Sequence, residues 1–134
     1  MLQKLDIKTH SQVEFLDITL QVREVVRDSG VKSGICVVYV PHTTAGIMIN
    51  EHADPDVVDD IATQLEKMVP QRGNYKHGEG NSAAHIKATL VGSSVMVIIQ
   101  YGDLALGTWQ GIFFAEIDGP RSRNALVKII ADSL

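Results

Sequence analysis

The run Gly34-Ile35-Cys36-Val37-Val38-Tyr39-Val40, closed by Pro41, decides the fold class. A continuous β-branched apolar segment of this kind reads as a buried strand, and the proline after it cannot donate to a ladder. Towards the N-terminus, Leu5 and Ile7 alternate with Lys4, Asp6 and Lys8, the period of two of a half-buried strand. A second short strand is expected over Val13 to Asp17. Ile18, Val22, Val25 and Val26 then fall at helical spacing up to Gly30, a residue suited to ending a helix in the left-handed conformation.

Towards the C-terminus, Ile47 to Ile49 reads as a short partner strand. Asp54-Pro55 is an N-cap residue followed by proline at the first helical position. Val57, Val58, Ile61, Ala62, Leu65, Met68 and Val69 trace one face of the helix that follows, which Pro70 ends. Gln71 to Ala84 carries Gly73, Gly78 and Gly80 and reads as a long loop. Four further strands are expected: His85 to Val91, Ser94 to Gln100, Gly107 to Ile117 and Asn124 to Ala131. Their short connections favour antiparallel pairing. The expectation is an α+β fold, a largely antiparallel sheet with two helices, in a single domain over residues 1–134.

The chain of 134 residues is 45% hydrophobic and 21% charged, enough apolar side chain for a core without disulfides. Twelve Lys and Arg against 16 Asp and Glu leave a net charge of −4, which argues against a nucleic-acid partner held by a basic face. Cys36, the single cysteine, has no partner for an internal disulfide. No apolar run has the length of a membrane span and no leader-type segment opens the chain, so a soluble cytoplasmic protein is expected.

Chemistry gathers around the five histidines. His10 has no polar company. His42 lies in Pro41-His42-Thr43-Thr44-Ala45-Gly46, His52 in Asn50-Glu51-His52-Ala53-Asp54, His77 in the glycine-rich loop and His85 just beyond it. Three imidazoles with one open position make a catalytic metal site, but neither a His-Glu-x-x-His nor a Cys-x-x-Cys is present. Spacing alone therefore leaves two readings: a three-histidine metal site, or loop histidines bonded to backbone. Glu51 is a candidate base beside an imidazole. Asp54 and Asp56 read as helix capping and dipole partners, whereas Asp59 and Asp60 stay open. Amides of the Gly78 and Gly80 region, with Thr43, Thr44 and Ser82, suit an anion. Arg121, after Asp118-Gly119-Pro120, suits a two-point clamp on phosphate or carboxylate. Trp109 reads as a packing or interface anchor.

The segments around His42 to Gly46, Asn50-Glu51, His77, Ala84-His85 and above all Ser94 to Ile112, with Gly107-Thr108-Trp109-Gln110, resemble the YjbQ/UPF0047 family across nearly the whole chain. The resemblance implies an α+β fold, a homotrimer with pockets between subunits, and recurrent polar residues at His42, Thr43, Asn50, Glu51, His77 and His85. His52 falls where the family varies and stays outside the ligand set. The resemblance also implies a weak or secondary thiamine-phosphate-synthase-type transferase activity, joining a hydroxymethylpyrimidine diphosphate to a thiazole phosphate.

On that reading His42, His77 and His85 hold a divalent metal, zinc suiting imidazole best. Glu51, Asn50 and Thr43 are catalytic, and Thr44, Arg121, Gly78 and Gly80 bind a phosphorylated small-molecule substrate, with no nucleic acid or membrane as partner. Diphosphate chemistry generally uses magnesium on oxygen ligands, so a histidine cluster fits a side activity better. The alternative is a non-catalytic metabolite-binding or regulatory module using the same pocket.

Overall fold

The computed structural model describes residues 1–133. In chain order the elements are β1 (Leu2–Lys8), β2 (Glu14–Asp17), α1 (Thr19–Ser29), β3 (Ser33–Tyr39), β4 (Ala45–Glu51), α2 (Pro55–Met68), α3 (Ser82–Val91), β5 (Ser94–Gln100), β6 (Asp103–Leu104), β7 (Gln110–Glu116) and β8 (Ser122–Ala131). They build two sheets, one ordered β1-β8-β3-β5-β6 and one ordered β2-β7-β4. Every pairing is antiparallel. The expected α+β class holds, and β3 lies between β8 and β5 as its apolar run demands.

Alternation along the strands places the core between the two sheets. Cys36 and Val38 of β3, Val97 and Ile99 of β5, and Ala125, Val127 and Ile129 of β8 point inward. They meet Ile47, Ile112 and Phe114 from the smaller sheet and Val22 and Val26 from α1. The same alternation carries Thr9 beyond Leu5 and Ile7, Arg123 beyond Ala125, and Glu116 beyond Phe114, all three buried. The polar end of the core is therefore built from strand periodicity.

Helix ends follow local chemistry. Gly30 takes φ of 72°, and its N–H closes α1 on the Arg27 carbonyl. The Asp54 carboxylate accepts from the Asp56 N–H at 2.9 Å, and Pro55 opens α2. No residue of α2 is fully buried: Val57, Val58, Ile61, Ala62 and Leu65 are covered only in part.

There are three helices, not two, because His85 to Val91 is helical and not extended. Ala83, Ala84 and Ala88 are strong helix formers. Ala84, Lys87 and Ala88 recur at one-turn spacing on a buried face, while Ile86 and Leu90 face outward. The short apolar run fits either period, and packing of Ala84 on Ala115 of β7 and on Ile117 just beyond it selects the helix. The glycine-rich loop accordingly ends at Asn81, before Ser82. Among the described residues no helix is long and apolar enough to cross a membrane.

Candidate functional site

Leaving β3, the chain runs through Pro41, His42, Thr43 and Thr44 before β4 begins. His42 Nε2 accepts the Asn124 backbone N–H at 3.0 Å. That bond assigns the neutral ring a proton on Nδ1, which no protein acceptor takes among the described residues. Burial and the Arg123 charge lower the His42 pKa below its usual 6.5, against a smaller opposing pull from Glu116. His42 is therefore a neutral hydrogen-bond donor at physiological pH.

A buried ionic network holds this segment from beneath. Arg123 donates from Nε to Glu116 Oε1 at 2.8 Å and from Nη2 to Oε2 at 2.6 Å. The same Nη2 reaches Thr44 Oγ1 at 2.9 Å. Glu116 also accepts from Thr9 Oγ1 at 2.7 Å and from the Asp118 N–H at 3.0 Å. Burial pushes the Glu116 carboxyl up, but the bonds from Arg123, Asp118 and Thr9 and the Arg123 charge together leave it below the usual carboxylate range. Thr9 Oγ1 in turn accepts the Arg121 N–H at 2.8 Å.

Above the network, Arg121 binds Asp118 through Nε to the carbonyl at 2.7 Å and through Nη2 to Oδ2 at 3.1 Å. Asn81 Nδ2 donates to that same Oδ2 at 2.9 Å. Asn81 Oδ1 is the one buried side-chain polar atom without a partner among the described residues. A cleft of about 370 Å³ gathers His42, Thr43, Thr44, Asn81, His85 and Arg121. His85 also borders two adjoining clefts, one shared with His42 and one shared with His77. The His77 and His85 rings meet edge to face with centroids 5.4 Å apart.

The sequence-predicted residues thus divide. His42, His85, Thr43, Thr44 and Arg121 share one cleft, with His77 in the next. Asn50 and Glu51 end β4, roughly 20 Å along the strand from its start at Ala45. There Glu51 Oε2 accepts the Asp54 N–H at 3.2 Å, and His52 Nδ1 lies 3.2 Å from Asp17 Oδ2. Neither Asn50 nor Glu51 lines a histidine cleft. Gly78 and Gly80 line none either, and an added Cβ at either would meet nothing within 4 Å, so no close backbone cradle forms there. Asn81, Glu116, Asp118 and Arg123 escaped the sequence reading, although lone charges at the ends of apolar alternations were a usable signal.

The metal assignment is corrected. Among the described residues no group of three His, Cys, Asp or Glu side chains is disposed to hold an ion. His42 Nε2 is committed to the Asn124 amide, His77 lies 3.8 Å from Glu79, and the edge-to-face contact of His77 and His85 is not a convergent donor set.

Comparison with other proteins places the chain. The profile of the family described as UPF0047 protein YjbQ-like matches residues 3–132. The chain belongs to the YjbQ/UPF0047 family. A UPF0047 protein of Methanocaldococcus jannaschii is 56% identical over 98% of this chain and 96% of its own length. YugU of Bacillus subtilis is 47% identical over 97% and 99%. Among solved structures, an uncharacterized family member from Clostridium acetobutylicum superposes with a TM-score of 0.94 at 57% identity, covering 96% and 99% of the two chains. A protein of unknown function from Sulfolobus solfataricus gives 0.95 at 38% identity, covering 98% and 97%. YjbQ/UPF0047 membership therefore brings no activity with it. Together with the missing ligand set, these descriptions overturn the characterisation of the chain as a zinc-binding thiamine-phosphate-synthase-type transferase.

Proposed function

We propose that the chain binds a phosphorylated small molecule in the His42–His85–Arg121 cleft and acts on it by proton transfer through His85. The supporting observation is the convergence of unlike donors on one cleft anchored to a buried ionic network. Arg121 spends Nε and one terminal nitrogen on Asp118 and keeps the other terminal nitrogen for a phosphate oxygen. Thr43 supplies a hydroxyl, and His42 a fixed N–H that polarises without ionising. His85 sits in the first turn of α3, where the helix N-terminus favours an anion alongside it. It is the ring in the cleft left to take or give a proton.

The test is calorimetric titration with inorganic phosphate and turnover of p-nitrophenyl phosphate. Wild type and the surface variant His10→Ala should bind alike, while His85→Ala and Arg121→Gln lose affinity by about tenfold or more. Phosphate binding that is absent, or indifferent to both substitutions, defeats the proposal. Saturable binding without turnover would favour the non-catalytic module instead; that reading has its own support in the distance of Glu51 from the cleft.

The same proposal includes a homotrimer in the cytoplasm. Ile98 and Ile130 lie exposed on the outer face of the larger sheet, in register through Ile35 of β3, with exposed Met96 two residues along β5 on the same face. A contiguous apolar stripe of this kind suits burial against another copy. Sedimentation of wild type against Ile98→Asp checks it: the variant should fall to a smaller species.

A further inference from the structure

Between α2 and the smaller sheet lies a groove of about 620 Å³ that shares no lining residue with the histidine clefts. Its walls are Phe15, Ala62, Leu65 and Ile117, and it exists because α2 rests on the sheet without burying any residue completely. Such a volume and lining match a small-molecule pocket. One polar group interrupts the apolar wall. Lys87 extends from the buried face of α3 and is only 3% exposed.

A buried ammonium normally places its three donors on acceptors, since desolvation otherwise penalises the charge. Among the described residues, Glu66 is the one acceptor of the Lys87 ammonium. Glu66 stands at the solvent edge with its side chain 51% exposed, and its other oxygen accepts the Gln71 N–H. Lys67 also borders the groove, so two cations face one carboxylate. The groove is therefore apolar along its length, net positive, and supplied with N–H donors that the protein leaves unmatched.

We infer that this groove binds a small amphipathic carboxylate, its acid group on Lys87 Nζ and its hydrocarbon against Phe15, Leu65 and Ile117. The Glu66 carboxylate competes for the same ammonium and gates the site. Charge complementarity selects this occupant over an uncharged apolar one. The inference is independent of the histidine cleft.

The experiment titrates the full chain with octanoate and with 1-octanol at neutral pH. Octanoate should bind about tenfold or more tighter than the alcohol, and the difference should shrink to about twofold in Lys87→Met. Glu66→Gln removes the competitor and should tighten octanoate about threefold or more, the opposite of what a purely structural ion pair predicts. Leu65→Trp, which fills the groove, should abolish binding of both while the circular dichroism spectrum is kept. Equal affinity for acid and alcohol in the wild type, weaker octanoate binding in Glu66→Gln, or no saturable binding overturns the inference. So does a groove covered by a second copy, seen as no octanoate binding together with dissociation of the assembly by Leu65→Arg.

Discussion

Arg123→Met tests the network under the histidine cleft most directly. The substitution keeps an unbranched side chain of comparable reach but removes the guanidinium that makes two bonds to Glu116 and one to Thr44 Oγ1. Glu116 is 0% exposed, so its charge would remain in the core with only Thr9 and the Asp118 N–H as partners. Removing one member of a buried pair costs about 3–5 kcal/mol. For a chain of this length that is a fall of roughly 10–20 °C in melting temperature. Urea unfolding at neutral pH reads the loss. It should shrink as pH falls, because the orphaned carboxyl, pushed up by burial, becomes neutral. Replacing both partners, Arg123→Met with Glu116→Leu, should recover most of the stability, since an apolar pair needs no desolvation of charge. The double variant should still lose phosphate binding, because Thr44 is no longer anchored. A single variant within about 1 kcal/mol of wild type, or a double variant less stable than the single, would refute the account.

Three further outcomes follow from the same geometry. His42 has a folded-state pKa below its unfolded value of about 6.5, so the unfolded chain binds more protons just under that pH and stability rises with pH there. Urea unfolding should show wild type losing stability relative to His42→Gln as pH drops through 6.5, and a pH-independent difference would contradict the assignment. Thr9→Val leaves the Arg121 N–H without its acceptor and Glu116 Oε1 with Arg123 Nε as its remaining donor, and should cost about 1–3 kcal/mol by the same measurement; a neutral result would mean the hydroxyl bridge is dispensable. Gly46→Ala would bring a Cβ within 2.5 Å of the Gly92 carbonyl oxygen and 3.0 Å of Val91 Cγ1. Chemical denaturation should register roughly 1–3 kcal/mol as the end of α3 is forced off β4, and a change within about 0.5 kcal/mol would show that the contact yields freely.

Much of this was legible because it is local. The β-branched run over Gly34 to Val40, the Asp54-Pro55 start of α2 and the Gly30 stop of α1 each rest on chemistry within a few residues, and each stands in the structure. The exception, His85 to Val91, is a segment whose alternating Ile86, Ala88 and Leu90 suit a strand as well as a helix, and only the bed of Ala115 and Ile117 settles it.

The histidine site was legible in its parts and not in its assembly. Sequence alone determined that this is an α+β chain of the YjbQ/UPF0047 pattern with polar residues crowded at strand ends, because strand and helix periods are short-range properties. The inward placement of Glu116 and Arg123 emerged only in the structure, where β8 begins at Ser122 and both side chains are buried. Tertiary structure decided that His42 joins His85 and Arg121, that Asn50 and Glu51 fall at the opposite end of β4, and that His42 spends Nε2 on Asn124. Periodicity fixes which way a side chain points, but which faces come together depends on contacts between residues as distant as Thr9 and Arg121. Their energies have no signature in any single stretch of chain.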